Sequence, residues 1–149
     1  MANVVPYSFP QELLKGTHNF VGNTINIALY EAGSGSPYAV SDTAYSSGTA
    51  NQVGTSGTGY TTGGKVLQNG TVANQTSVAT VTFDTISWTS ATFGAAYGVL
   101  YNNSSSDKLI VVLDFGGTKS CSNGTFTITF PSTSSGTPAG TDSLISITS

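Results

Sequence analysis

Charge is what this sequence has least of. Only 7% of its 149 residues are Asp, Glu, Lys or Arg, and arginine is absent. Four lysines stand against seven carboxylates, for a net charge of −3. Gripping nucleic acid takes a basic face that displaces phosphate counterions. None can be assembled here, so nucleic acid is excluded as a partner. Cysteine is equally scarce: Cys121 is alone, which rules out an intramolecular disulfide framework and leaves a small buried hydrophobe as its expected role. No apolar run approaches the length of a membrane span. The opening Met1-Ala-Asn-Val-Val-Pro6 lacks the basic start and apolar stretch of a secretory signal, so synthesis in the cytosol is expected.

Hydroxyl groups and glycine take the place of charge. Serine and threonine supply 44 residues and glycine 18, while 38% of the chain is hydrophobic. That is too apolar for a disordered tail and about the size of one domain.

Residues 1–9, with Pro6 and Pro10 around Val4, Val5, Tyr7 and Phe9, read as an extended N-terminal arm whose apolar side chains need a partner. The domain proper then occupies 10–149. Pro10 to Gly16 carries the marks of one short helix, with proline at the start, Glu12 in the first turn, Lys15 at the end and glycine as the cap. Ile25, Ile27 and Leu29 alternate with Asn26, Ala28 and Tyr30, which predicts a half-buried strand. Residues 32–64 are crowded with Gly and Ser, and read as loops with one helical turn near Ser41 to Tyr45. Asn69-Gly70 between Lys65–Leu67 and Thr71–Ala73 predicts a hairpin. The alternation in Val78 to Trp88 changes parity near Asp84, predicting a bend.

Further along, Phe93 to Tyr101 alternates large residues with Gly94, Ala96 and Gly98, a small face that another backbone could approach. Lys108 to Phe115 is the most continuous apolar run, expected to be a central strand covered on both faces. Gly116-Gly117 and Ser122-Asn-Gly124 read as turns, Phe126 to Phe130 as a one-sided strand, and Leu144, Ile145 and Ile147 as a last strand. The sum is an all-β, single-domain antiparallel β-sandwich of about seven or eight strands, Ig-like or jelly-roll-like.

No motif for catalysis survives its context. Gly59-Tyr-Thr-Thr-Gly-Gly-Lys65 fits the core of a phosphate-binding loop, but Val66 stands where a hydroxyl should hold Mg²⁺ and a strand follows in place of a helix. His18 is the sole histidine, with no ligand spacing or nucleophile elbow around it, and reads as a polar turn residue. Asp114, between Leu113 and Phe115, reads as a strand-end residue bonded to turn amides. The seven carboxylates show no pairing of the glycosidase kind. No catalytic residue, metal ligand or cofactor is assigned. Tyr38, Tyr45 and Tyr60, lying in loops, are expected to offer a contact surface to sugar or protein.

Several blocks together resemble a family of small tailed-bacteriophage virion proteins: Leu13-Leu-Lys-Gly-Thr-His-Asn-Phe20, Ile25–Tyr30, Gly57–Lys65, Trp88–Phe93, Tyr97–Asn102 and Val112–Gly116. The likeness spans residues 10–148. It implies a non-enzymatic structural component of the virion, a head decoration or cement protein on the outer surface of the capsid. The major capsid protein would be its partner, with self-association as a homotrimer. On this reading Val4, Val5, Tyr7 and Phe9 contact the capsid or a neighbour, and removing residues 2–9 leaves the fold intact. Gly94, Ala96 and Gly98 offer an oligomer or ligand contact, or else an internal sheet contact. The alternative is a tail- or fibre-associated adhesin whose loop tyrosines bind host cell-surface glycan.

Overall fold

The computed structural model describes residues 3–47, 49–75, 78–130 and 145–148. Within them lie one α-helix, α1 (Ser8–Leu14), one 3-10 turn (Asn103–Ser105) and seven strands: β1 (Ile25–Tyr30), β2 (Lys65–Val66), β3 (Thr71–Gln75), β4 (Val78–Thr82), β5 (Ile86–Asn102), β6 (Lys108–Ile128) and β7 (Ile145–Thr148). The chain is mostly β, and every strand pair is antiparallel. One sheet has the order β2-β1-β5-β6 and the other β3-β4-β7. Leu144, part of the predicted last strand, lies outside the described residues, while Ile145 and Ile147 are in β7.

β1 is buried on both faces rather than one. Ile25, Ile27 and Leu29 enter an apolar cluster with Phe20, Leu100 and Ile110. Ala28 and Tyr30 enter a second cluster with Val99, Leu109 and Val112. A strand between two neighbours with a core on each side has no solvent face, so Ala28 and Tyr30 occupy places where alternation alone predicts exposure.

The helix begins two residues earlier than Pro10, at Ser8. Pro10 is tolerated there because first-turn N–H groups have no partner inside the helix. Gly16, at φ +72°, follows the end as a left-handed cap, its N–H donating to the Leu13 carbonyl at 3.1 Å. Ser41 to Tyr45 is not helical: Asp42 closes a turn onto Ala39, and Ala44 forms a bridge to Lys108.

The Asn69-Gly70 signal is a corner and not a hairpin. β2 pairs with β1, and β3 with β4, so the turn carries the chain from one sheet to the other. A Cβ at Gly70 would overlap the Phe20 carbonyl oxygen; this close packing fixes the corner. The return comes at residues 83–85, the bend predicted near Asp84, where β4 ends and β5 begins.

Lys108 to Phe115 is not central. It opens β6, which lies at the edge of its sheet, and its first residues are buried because other segments cover that edge. The predicted turns at Gly116-Gly117 and Asn123-Gly124 are irregularities within β6, where Gly116, Gly117 and Asn123 take positive φ. Phe126 and Ile128 therefore continue β6 rather than starting a strand.

Candidate functional site

The N-terminal segment is docked on its own chain. Val4 forms an antiparallel bridge with Val112, the two N–H···O bonds measuring 2.9 and 2.8 Å. The Asn3 side chain accepts from the Asp114 N–H at 2.9 Å. Pro6 is fully buried, and Tyr7 N–H donates to the Val40 carbonyl at 2.8 Å. Phe9, expected to reach a partner, is a helix residue in the core, its ring 5.2 Å from that of His18. An apolar residue in the first turn of a short helix finds its partner in the domain beneath it. Removing residues 2–9 would thus take out core, contrary to expectation. Of its apolar side chains Val5 and Tyr7 remain outward, 47% and 77% exposed, and Val40, whose carbonyl Tyr7 binds, is 37% exposed.

The loop tyrosines are anchors and not an exposed platform. Tyr38 and Tyr60 are 5% and 3% exposed, which corrects their expected place in a contact surface. The Tyr60 hydroxyl accepts from Leu29 N–H at 3.0 Å and from Gln52 Nε2 at 3.1 Å. The Tyr38 hydroxyl meets that of Tyr30 at 3.1 Å and accepts from Ser46 N–H at 2.9 Å. Tyr45 is half-buried and stacks on Tyr101, with ring centroids 4.1 Å apart. A long Gly/Ser segment has few side chains that can bury area, so its tyrosines supply the grip and their hydroxyls satisfy buried backbone. Burial pushes the phenols of Tyr30, Tyr45 and Tyr60 above their ordinary value and that of Tyr101 up to about 12.

The small residues of β5 do not share a face. The pairing of β5 with β6 shifts register between Ala95 and Tyr97. This bulge reverses the alternation, so Ala95 joins one cluster while Ala96 and Tyr97 join the other. A Cβ at Gly94 would press on Thr118 and Ser120, and one at Gly98 on Phe115 and Ile27. Gly94, Ala96 and Gly98 are thus internal contacts of this chain, not an oligomer surface.

Lys65, the lysine of the phosphate-loop-like sequence, is committed internally. Its ammonium donates to the Ser87 carbonyl at 2.7 Å and lies 5.5 Å from the centre of the Trp88 ring. Asp114 accepts from the Gly116 N–H at 2.8 Å, the turn-amide role expected of it.

His18 is the polar residue that sequence reasoning misplaced. Its side chain is fully buried, with the ring between Phe9 and Phe20. Nε2 lies 3.2 Å from Glu12 Oε2, and Nδ1 lies 3.2 Å from the Asn102 amide nitrogen. Asn102 Nδ2 also lies 3.1 Å from the Thr17 carbonyl and 2.9 Å from Asn23 Oδ1, so its two N–H groups are shared among three acceptors, and Lys108 Nζ lies 3.4 Å from Glu12. An amide nitrogen can only donate, so the arrangement needs Nδ1 bare and the proton on Nε2, a neutral ring bonded to a carboxylate. This network ties α1 to the end of the β5–β6 hairpin.

Burial holds the His18 pKa below its ordinary value, with the Glu12 hydrogen bond and charge opposing. The unfolded chain therefore takes up a proton before the folded one does, and stability is full above about pH 6.5 and falls as pH drops below it. Thermal melts from pH 7 down to pH 5.5 should show this loss, at most about 1.4 kcal/mol per pH unit for one proton. His18→Phe should flatten the slope. An unchanged slope in the variant would assign the effect to other groups.

Among the described residues no group of three or more His, Cys, Asp or Glu is placed to hold a metal ion, and no helix is long and apolar enough to cross a membrane. No protein family, curated protein or solved structure compared with the chain matches it.

Proposed function

We propose that the chain is a non-enzymatic structural protein of a tailed-bacteriophage virion, a decoration protein that sits on the outer capsid surface and stabilises the head. The geometric observation that carries this reading is the exposure of the apolar side chains of Val5, Tyr7 and Val40, with the Tyr7 N–H bonded to the Val40 carbonyl. Val5 and Tyr7 are held on a docked segment, so little order is lost when a partner covers them. The resembling blocks support it as well. They fall on the frame: the end of α1 with the His18 network, β1, the glycine loop before β2, and the facing parts of β5 and β6. A chain whose surface carries few charges suits an assembly in which contacts are apolar or hydroxyl-mediated.

The finer architecture belongs to the same proposal. The two sheets are read as the layers of a sandwich, because Val81 of β4 shares one apolar cluster with Ile27 and Leu29 of β1. The glycan-binding alternative loses its support with the burial of Tyr38 and Tyr60.

This contact is tested by the double substitution Val5→Ser and Tyr7→Ser, both at exposed side chains. The variant should melt with the wild type and occupy purified particles less. Equal occupancy would remove the two side chains from the interface.

A further inference from the structure

We infer that the outer edge of β6 from Thr118 to Ser122 is a self-association site, where two copies pair strand against strand. This stands independently of the virion reading. β6 is the last strand of its sheet, and the chain covers the first half of that edge twice. Residues 43–45 run along 107–109, with Tyr45 N–H to Asp107 O at 2.8 Å and Leu109 N–H to Thr43 O at 3.0 Å. Asn3 and Val4 then cover Asp114 and Val112.

Beyond Asp114 the cover stops. Among the described residues, no backbone hydrogen bond reaches Thr118–Ser122 from the side away from β5, and Thr118, Lys119, Ser120 and Ser122 are exposed. Soluble proteins blunt such edges with charge, proline, bulges or cover. Here positive-φ residues at Gly116-Gly117 and Asn123 bound the segment. Inside it there is no proline, and Lys119 is the sole charge.

The segment is complementary to itself. Antiparallel pairing about a two-fold axis at Ser120 sets Ser120 opposite its counterpart, Lys119 opposite Cys121 and Thr118 opposite Ser122, so like charges are never opposed. Lys119, Ser120 and Cys121 keep regular register with Ala95, Gly94 and Phe93, so the regular part of such a pairing exchanges about two to four backbone hydrogen bonds. Alongside lies a groove of about 380 Å³ lined in part by Phe115, Cys121, Phe126 and Ile128, giving the second copy apolar area to cover. The same segment serves both partners, so the contact closes as a dimer, in place of the trimer implied by the resemblance.

Sedimentation from micromolar to near-millimolar concentration should show a dimer that Ser120→Pro abolishes, because proline removes a ladder donor. Since proline could disturb the fold, a second variant reads the register directly. With Cys121→Ala as background, Ser120→Cys should cross-link into a dimer under oxidation, because opposed Cβ atoms lie about 4.5–5.5 Å apart. Thr125→Cys in that background should not. A chain that stays monomeric and uncross-linked overturns the proposal. A dimer that cross-links at Thr125 and not at Ser120 also overturns it, placing the interface elsewhere.

Discussion

Gly64→Ala should be among the most damaging single-methyl changes in the chain, lowering stability by about 3–5 kcal/mol. Two causes add. Gly64 sits at φ +76°, where an L side chain costs about 1–2 kcal/mol. Its new Cβ would also overlap the carbonyl oxygen of Ile27 and crowd Ala28 Cα, both backbone atoms of β1. β1 is held between β2 and β5 and has core on both faces, so it cannot move aside. The loop would have to leave, taking Lys65 and β2 with it. Gly57→Ala is the control: it has nearly the same φ, +71°, but nothing within 4 Å of the added carbon. It should cost only the conformational part, about 1–2 kcal/mol. At this chain length each kcal/mol moves the melting midpoint by about 2–4 °C, so calorimetry separates the pair. Equal losses would mean that the Gly64 contact with β1 is unimportant.

Trp88→Ala should cost about as much, roughly 3–5 kcal/mol, by leaving a large cavity. Trp88 is 1% exposed, with the rings of Tyr60, Phe93 and Phe126 all within 6.4 Å of its own. These contacts join the long loop to both strands of the β5–β6 hairpin. Among the described residues its indole N–H has no hydrogen-bond partner, so Trp88→Phe deletes no bond seen there and leaves no described acceptor stranded. That variant should lose less than half as much. Urea melts followed by circular dichroism, which does not depend on the sole tryptophan, would compare the three proteins. A Phe variant as unstable as the Ala variant would show that the indole's polar edge matters.

The strands were legible where local alternation was regular, as in Ile25–Tyr30, whose span it marked though not the burial of its second face, and in the parity change near Asp84. What alternation could not show was which strand pairs with which. Asn69-Gly70 announces a tight turn, but a turn signal says nothing about whether its flanks meet each other. Here β1 is a better partner for Lys65 and Val66 than Thr71 is. The bulge between Ala95 and Tyr97 was invisible for a related reason: residues 115–118 of β6 stand against the single Ala96 of β5, and the reversed alternation splits Gly94 and Gly98 between faces.

The candidate site was less legible still. Tyrosines among Gly and Ser look exposed in one dimension, because groups that bury them, such as Leu29 N–H against Tyr60, come from strands distant in sequence. His18 and Asn102 are 84 residues apart and share one hydrogen bond. No local pattern announces it. Within the first nine residues, burial of Pro6 and Phe9 left Val5 and Tyr7 as the outward pair, a division set by the course of α1.

The most direct test of a decoration role is the number of copies per particle, measured by quantitative mass spectrometry of purified virions against the major capsid protein. A protein that coats the shell should be present in hundreds of copies, in a simple ratio to the capsid protein. A few copies, or a few tens, would place it on the tail or a fibre and contradict the decoration role.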